Sequence, residues 1–234
     1  NGSFIASFVY YTTFSGPKRL KAQKFDANMN GQWGLVPIDV FTSGSLQYGN
    51  YPEFIADTNG GGVFCWYGTS PLMARLQWID SDGNRLMGTS GMTATTETTM
   101  VHVNPHACID PVSGDATVFW VRQNSSQSSS GIQANRITPA GTRLWGATGT
   151  QLLPVSSGTS LLDLHAMQVG SLATGSWIKS PSLGSEQVQA AAVHEDGSMA
   201  WGIAPVVASS AASDKTDMTS CPGDGMLITC WVDD

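Results

Sequence analysis

The sequence predicts an all-β fold, a β-propeller or propeller fragment of four-stranded blades that repeat about every 55 residues. Three observations lead to this prediction. A glycine-containing turn that runs into a Trp-Gly or Met-Gly pair recurs along the chain, and an apolar strand that ends near a Trp recurs beside it. No stretch shows the 3.6-residue hydrophobic period of a helix.

The first recurring element is a hairpin. Its copies read "ANMNGQWG", "SDGNRLMG", "PAGTRLWG" and "EDGSMAWG", and each follows a short strand with polar and apolar residues in alternation. The anchors at the ends of these copies are Trp33, Met87, Trp145 and Trp201, which lie 54, 58 and 56 residues apart. Alternation that runs into such a turn is typical of an antiparallel hairpin, because glycine supplies the positive φ that the turn needs.

The second recurring element is an apolar strand. It ends at Trp66, Trp120, Trp177 and Trp231, at intervals of 54, 57 and 54 residues, and Tyr10 takes the Trp place in the first copy. Another short apolar segment precedes each of the four Trp strands, so one unit holds four strands. A pair of β-sandwiches is the alternative, but sandwiches do not repeat one four-stranded unit so regularly.

The units make the whole chain, residues 1–234, a single β-propeller region. It opens at the second strand of one unit and stops after the second strand of another, which gives one partial blade, three full blades and a further half blade. We expect part of a larger ring, cut from a longer chain with flanking domains. A ring whose two ends complete one shared blade is the alternative.

Charge and composition argue against several partners. Eleven Lys and Arg stand against 18 Asp and Glu, which gives a net charge of −7 and disfavours nucleic acid and anionic membrane surfaces. No apolar run reaches the roughly 18 residues of a membrane span, so we expect no membrane insertion. Charged residues are only 12% of the chain, a low share that favours a secreted or cell-surface protein. The four cysteines form no CxxC pair, and we expect no cofactor.

Segments of the form G-G-x-hydrophobic-W, followed by A-Q-x-hydrophobic-D-x-x-G-x-x-hydrophobic-W-G, resemble the propeller repeats of secreted and cell-surface bacterial proteins. "NGGGVFCW" and "KAQKFDANMNGQWG" are the closest matches, and the resemblance covers nearly the whole chain. Met87 replaces the expected Trp, and Arg75 and Ala190 stand where Gln is expected. The resemblance implies an architecture and leaves the activity open.

One set of candidate site residues comes from the repeat itself. Counting back from each Trp strand, the same position of the first strand holds Glu53, His106, His165 and Asp217. First strands line the channel of a propeller, so we predict that these residues form a ligand-binding ring at one channel mouth. Imidazoles and carboxylates also suit first-row metals. A wet channel mouth favours polar residues in any case, so a metal is left open.

A second set comes from the loops. Connections between second and third strands, and between fourth and next first strands, vary strongly and emerge on one face, where function on a rigid scaffold tends to collect. Tyr48 and Tyr51 lie in such a connection. Their flat amphipathic rings suit sugar faces and protein hot spots, so we expect a carbohydrate or protein partner.

No sequence motif of catalysis is present. The chain has no GxSxG, no HExxH and no phosphate loop. Its arginines do not recur at the first-strand positions that a sialidase-like site would need. We therefore predict a non-catalytic propeller that presents a loop-rich face for binding, with no catalytic residue assigned. The alternatives are a glycan-active hydrolase of the sialidase-like propeller type and a purely structural spacer in a larger surface protein.

Overall fold

The computed structural model describes residues 2–47 and 50–234, and within them the protein is all-β. No helix occurs in this part of the chain, so none has the length and hydropathy to cross a membrane. The predicted all-β class is confirmed.

The strands of the described residues form five antiparallel sheets, and within each sheet the strands follow in chain order from one edge to the other. Sheet 1 holds β1 (Phe4–Tyr10), β2 (Arg19–Phe25) and β3 (Ile38–Asp39). Sheet 2 holds β4 (Glu53–Ala56), β5 (Gly62–Tyr67), β6 (Ala74–Ile79) and β7 (Met92–Thr93). Sheet 3 holds β8 (Val101–Ile109), β9 (Ala116–Gln123), β10 (Ser129–Ile137) and β11 (Thr150–Ser157). Sheet 4 holds β12 (Thr159–Val169), β13 (Leu172–Pro181), β14 (Gln187–Val193) and β15 (Val206–Ser209). Sheet 5 holds β16 (Lys215–Pro222) and β17 (Leu227–Asp233).

The apolar core is divided into layers between neighbouring sheets. Sheets 2 and 3 enclose Trp78 and Trp120, and sheets 3 and 4 enclose Phe119 and Trp177. A further layer with Trp66 separates sheets 1 and 2. The alternation of the strands explains this arrangement, because each inner strand is buried on both of its faces and each layer uses one set of alternate residues.

Hairpin anchors join one sheet to the turn of the next. The indole of Trp33 donates a hydrogen bond to the Ser81 carbonyl at 2.9 Å, and that of Trp145 donates to the Glu195 carbonyl at 2.8 Å. At the first of these joints Gly83, with φ 88°, lies against the Trp33 ring. The turn glycine therefore provides both the left-handed backbone and the space for the indole.

Side-chain amides show which residues are equivalent in the third strand of each unit. This strand is β2 in sheet 1, where the chain starts at a second strand, β6 in sheet 2 and β10 in sheet 3. Gln23, Gln77 and Asn135 each donate to the carbonyl of the glycine 11 residues further on, Gly34, Gly88 and Gly146. The residue at the place of Gln23 in sheet 2 is therefore Gln77, and the alignment that put Arg75 there is wrong by two residues.

The same equivalence corrects the first Trp place. Lys21 lies two residues before Gln23, as Arg75 lies two before Gln77, and Lys21 pairs with Phe8 whereas Arg75 pairs with Trp66. Phe8 therefore holds the Trp place in sheet 1, and the prediction of Tyr10 was wrong.

Candidate functional site

The first strands of sheets 2 to 5 lie side by side. β12 contacts both β8 and β16, and β4 contacts β8. Each of these strands is an edge of its own sheet, so no backbone ladder joins one to the next in the described residues. Side chains at the same level of the four strands therefore meet each other along one axis.

Three of these strands carry a bulge at the same level. The register shifts between Val103 and His106 in β8, between Leu162 and His165 in β12, and between Thr216 and Thr219 in β16. Such bulges bend a strand and re-aim its side chains, and they are common beside active sites.

Each bulge contains a residue other than glycine in the left-handed region. These residues are Asn104 with φ 48°, Asp163 with φ 47° and Asp217 with φ 51°. Asn and Asp tolerate this conformation best among residues with a side chain, although it still carries strain. Three strained polar residues at one level point to a functional constraint on their side chains.

The bulges surround a cavity of about 500 Å³. This volume lies within the range of small-molecule sites, roughly 300–1,000 Å³. We call it the axial cavity. It is lined by Asn104, His106, Asp163, Leu164, His165, Asp217 and Met218.

His106 stands between Glu53 and His165. Its Nδ1 lies 3.1 Å from Glu53 Oε2, off the direction of a good hydrogen bond, and its ring centroid is 5.8 Å from that of His165. The same Glu53 oxygen accepts the Ala107 backbone N–H at 3.3 Å. Glu53 thus contacts both the His106 ring and the backbone of β8 beside the cavity.

Two side chains of β12 hold the Met218 peptide of β16. His165 Nε2 donates to the Met218 carbonyl at 2.8 Å, and the Met218 N–H donates to Asp163 Oδ2 at 3.1 Å. The first bond places the proton of His165 on Nε2. Together the two bonds replace a backbone ladder between these strands.

The four predicted ring residues are only partly equivalent. Glu53, His106 and His165 pair with the residue before the Trp of the second strand, namely Cys65, Phe119 and Ser176. In sheet 5 the residue with that partner is Thr219, whereas Asp217 occupies the bulge.

The connection between β16 and β17 is two residues shorter than the connection between β8 and β9. Counting back from Trp231 therefore overshoots Thr219 by two residues. His106, His165 and Asp217 nevertheless line the same cavity, and Glu53 contacts His106 from outside that lining.

Sequence reasoning missed Asn104, Asp163 and Met218. The signal for Asn104 and Asp163 is their place two residues before the aligned histidine, in "NPH" and "DLH", whereas Met218 has no such signal. Of the predicted tyrosines, Tyr51 is 84% exposed and is not in the lining of the axial cavity. Tyr48 lies outside the described residues. Within residues 2–47 and 50–234, no three His, Cys, Asp or Glu side chains converge as a metal ion would need.

A separate charged cluster lies between β7 and the end of β9. Arg122 donates to both oxygens of Glu97, at 2.7 and 2.8 Å, and this hydrogen bonding lowers the pKa of Glu97 to about 2. His102 Nε2 lies 3.4 Å from Glu97, and burial lowers the pKa of His102. The positive charge of Arg122 balances the negative charge of Glu97, so this cluster connects the loop after β7 to strand β9.

The sequence matches no protein-family model and no curated protein. Among the solved structures of similar fold are an endo-arabinase and a sialidase. The endo-arabinase from Bacteroides thetaiotaomicron VPI-5482 is 12% identical at a TM-score of 0.50, over 97% of this chain and 84% of that chain. The Hadza microbial sialidase Hz136 is 10% identical at a TM-score of 0.50, over 93% of this chain and 54% of that chain, so the present chain spans about half of the sialidase.

The protein therefore has a β-propeller fold, as the sequence predicted. The comparisons contradict the prediction of a non-catalytic binding module, because the similar solved structures are glycoside hydrolases. At identities of 10–12% the likeness itself establishes the fold, and the activity has to be argued from the axial cavity.

Proposed function

We propose that this chain is a glycan-active hydrolase that binds a sugar chain in the axial cavity. The observation that carries the proposal is the meeting of two carboxylates, Asp163 and Asp217, on strained bulges around one cavity of about 500 Å³. Hydrolysis of a glycosidic bond needs two carboxyl groups, one as general acid and one as base or nucleophile. The fold shared with an endo-arabinase and a sialidase supports this reading.

The two carboxyl groups differ in how they are held. Asp163 accepts the Met218 N–H, so it is fixed in place and suits the base or nucleophile. Asp217 has no hydrogen bond from its side chain within the described residues, so it is free to turn and to deliver a proton to the leaving oxygen. His106 and Asn104 border the same cavity with groups that hydrogen-bond sugar hydroxyls.

The lining favours a neutral sugar. No arginine is among the described residues that border the axial cavity, and an arginine is the usual partner of a carboxylated ligand. We therefore propose an arabinan-like or galactan-like neutral chain as the substrate and not a sialylated one. A location outside the cell, where such polysaccharides occur, is part of the proposal, and the low share of charged residues supports it.

We also propose that each sheet is one propeller blade and that the repeat of about 55 residues is the blade unit. The recurrence of Trp66, Trp120, Trp177 and Trp231 in the second strand of sheets 2 to 5 supports this.

The test is hydrolysis of neutral arabinan and galactan, followed as new reducing ends, with a sialylated glycan in parallel. We expect release from a neutral polysaccharide, and Asp163→Asn and Asp217→Asn each to lower the rate about 10²–10⁴-fold. Asp224→Asn, an exposed carboxylate in the turn after β16, is the matched control and should leave the rate unchanged. Circular dichroism checks that each variant is folded. No release from any glycan, or full activity in both aspartate variants, would refute the proposal.

A further inference from the structure

A second cavity lies away from the axis, between sheets 1 and 2. Its volume is about 230 Å³, and it is enclosed by the connection from β3 to β4 and the connection from β5 to β6. Hydroxyl groups make up much of its wall, and no Asp or Glu is among the described residues that border it. The polar side chains of its lining include Ser43, Thr69, Ser70, Arg75 and Ser90.

Arg75 is the charged group of this cavity. The equivalent residue is Lys21 in sheet 1, Gln133 in sheet 3 and Gln189 in sheet 4. The equivalence follows from the pairing, because Arg75 pairs with Trp66 as Gln133 pairs with Trp120 and Gln189 with Trp177. Gln133 donates to the Thr148 carbonyl at 2.7 Å, and Arg75 donates to the equivalent Ser90 carbonyl at 3.4 Å. The neutral amide of Gln133 therefore makes the same hydrogen bond as Arg75, so the fold does not need a positive charge at this position of the third strand.

The charge of Arg75 is not matched as that of Lys21 is. Lys21 forms an ion pair with Asp39 at 2.9 Å, its partner on the neighbouring strand, whereas the partner of Arg75 at that register is Thr93. Arg75 belongs to no ion pair in the described residues. A guanidinium does not lose its proton near neutral pH, so a positive charge stands half-buried beside the cavity without an anion.

Desolvation of this group has a cost that a ligand would offset. Burial lowers the pKa of the Arg75 guanidinium from its usual value. Thr69 and Ser70 line the cavity, and their hydroxyls have no hydrogen-bond partner within the described residues, so both can donate to a bound group. A cation with nearby hydroxyl donors is the arrangement that binds an oxyanion, and a planar guanidinium binds it with two parallel hydrogen bonds.

We propose that this cavity binds an oxyanion group carried by a sugar, a carboxylate or a sulfate, with Arg75 as its cationic contact. The small volume fits one acidic sugar unit and not a long chain. The site is separate from the axial cavity, and its occupation does not depend on hydrolysis there. It gives the chain a way to hold an acidic saccharide beside the β3–β4 and β5–β6 connections.

The test is calorimetric titration of the whole chain with galacturonate, galactose 6-sulfate, inorganic sulfate and neutral galactose. We expect the acidic sugars to bind with an affinity that falls as salt rises, and galactose not to bind. Arg75→Gln, which copies sheets 3 and 4, should weaken binding at least about tenfold. Arg85→Gln, which removes an exposed charge from the hairpin at the opposite end, should bind as the native chain does.

A second pair of variants keeps the test valid if Arg75→Gln does not fold. A Cβ at Gly68 would stand 3.7 Å from Arg75 Nε, in ordinary contact, so Gly68→Asp should place a carboxylate against the guanidinium and abolish binding. Gly68→Ala is the size control and should still bind. Binding of sulfate as tight as that of the acidic sugars would refute the sugar part of the proposal. No binding by any acid, equal binding of galactose, or unchanged binding in both Arg75→Gln and Gly68→Asp would overturn it entirely.

Discussion

The two ends of the stacked sheets are built on different rules. At the end where first strands finish, which we call the turn end, hairpins of one kind recur, and the indoles of Trp33 and Trp145 each bond to a hairpin of the next sheet. At the end where first strands begin, which we call the loop end, the connections differ in length, and the cavity with Arg75 lies among them. The left-handed turn residue next to each tied indole is glycine, whereas the three left-handed bulge residues around the axial cavity carry polar side chains. The recurring turns serve packing, whereas the recurring bulges of the first strands place polar side chains around one cavity.

The largest effect that we expect on stability tests the turn end. Gly83 and Gly88 lie in one hairpin with φ of 88° and 74°, but a Cβ would meet Trp33 at 2.7 Å only at Gly83 and nothing within 4 Å at Gly88. Gly83→Ala should lower the free energy of unfolding by about 3 kcal/mol, from backbone strain and the clash together, and Gly88→Ala by about 1 kcal/mol from strain alone. Urea unfolding measures both. Equal losses would show that the indole is not held rigidly at this joint.

The next effect belongs to the loop end and depends on pH. The folded-state pKa of Glu97, about 2, lies below the usual value of 4.5. The stability from this pair is therefore present above pH 4.5 and is lost as the pH falls toward 2. Between pH 5 and 2.5 the native chain should lose about 1–2 kcal/mol more than Glu97→Gln does, an amount reduced for partial solvent screening. Asp224→Asn, at an exposed carboxylate between β16 and β17, is the matched control for the loss of one carboxylate. A profile of Glu97→Gln that matches the native one would contradict the role of Arg122.

The smallest effect sharpens the contrast between glycine turns and polar bulges. Asp217→Gly should raise the free energy of unfolding by about 0.5–1 kcal/mol, because it relieves left-handed strain and the Asp217 side chain makes no hydrogen bond within the described residues. The same variant should lose hydrolysis if the proposed function holds. Asp163→Gly should gain nothing, since it also removes the acceptor of the Met218 N–H. Thermal unfolding compares the two, and a gain in Asp163→Gly as large as that in Asp217→Gly would count against the strain argument.

Much of the fold was open to prediction because its signals are local. Period-two alternation and turn glycines identify strands wherever they occur, and the spacing of the Trp residues indicates a propeller. The exact register was not open to prediction. A connection shortened by two residues moved Asp217 away from the place of His106, and Phe8 replaced Tyr10 because β1 has no Trp to mark its frame.

The candidate site could be predicted only in part. His106, His165 and Asp217 do line one cavity, because first strands sit at the axis of the fold. The bulges could not be foreseen, since a register shift depends on how neighbouring strands pair across the sheet. The proposed activity has no contiguous motif in the sequence for a related reason. Its two carboxylates, Asp163 and Asp217, come from different sheets and line one cavity only in the folded chain.

The bonds between β12 and β16 have a consequence for motion. These strands are joined through the His165 and Asp163 side chains, and each sheet keeps its own complete ladder. Tilting sheet 4 against sheet 5 would break these two bonds, the hydroxyl contact of Ser176 with Ser220 and the bond from the Lys215 N–H to Glu186, and would leave every ladder intact. Sheets 4 and 5 are therefore joined by side-chain bonds and apolar packing, so a change in the width of the axial cavity on this side would leave the backbone ladder of each sheet unbroken.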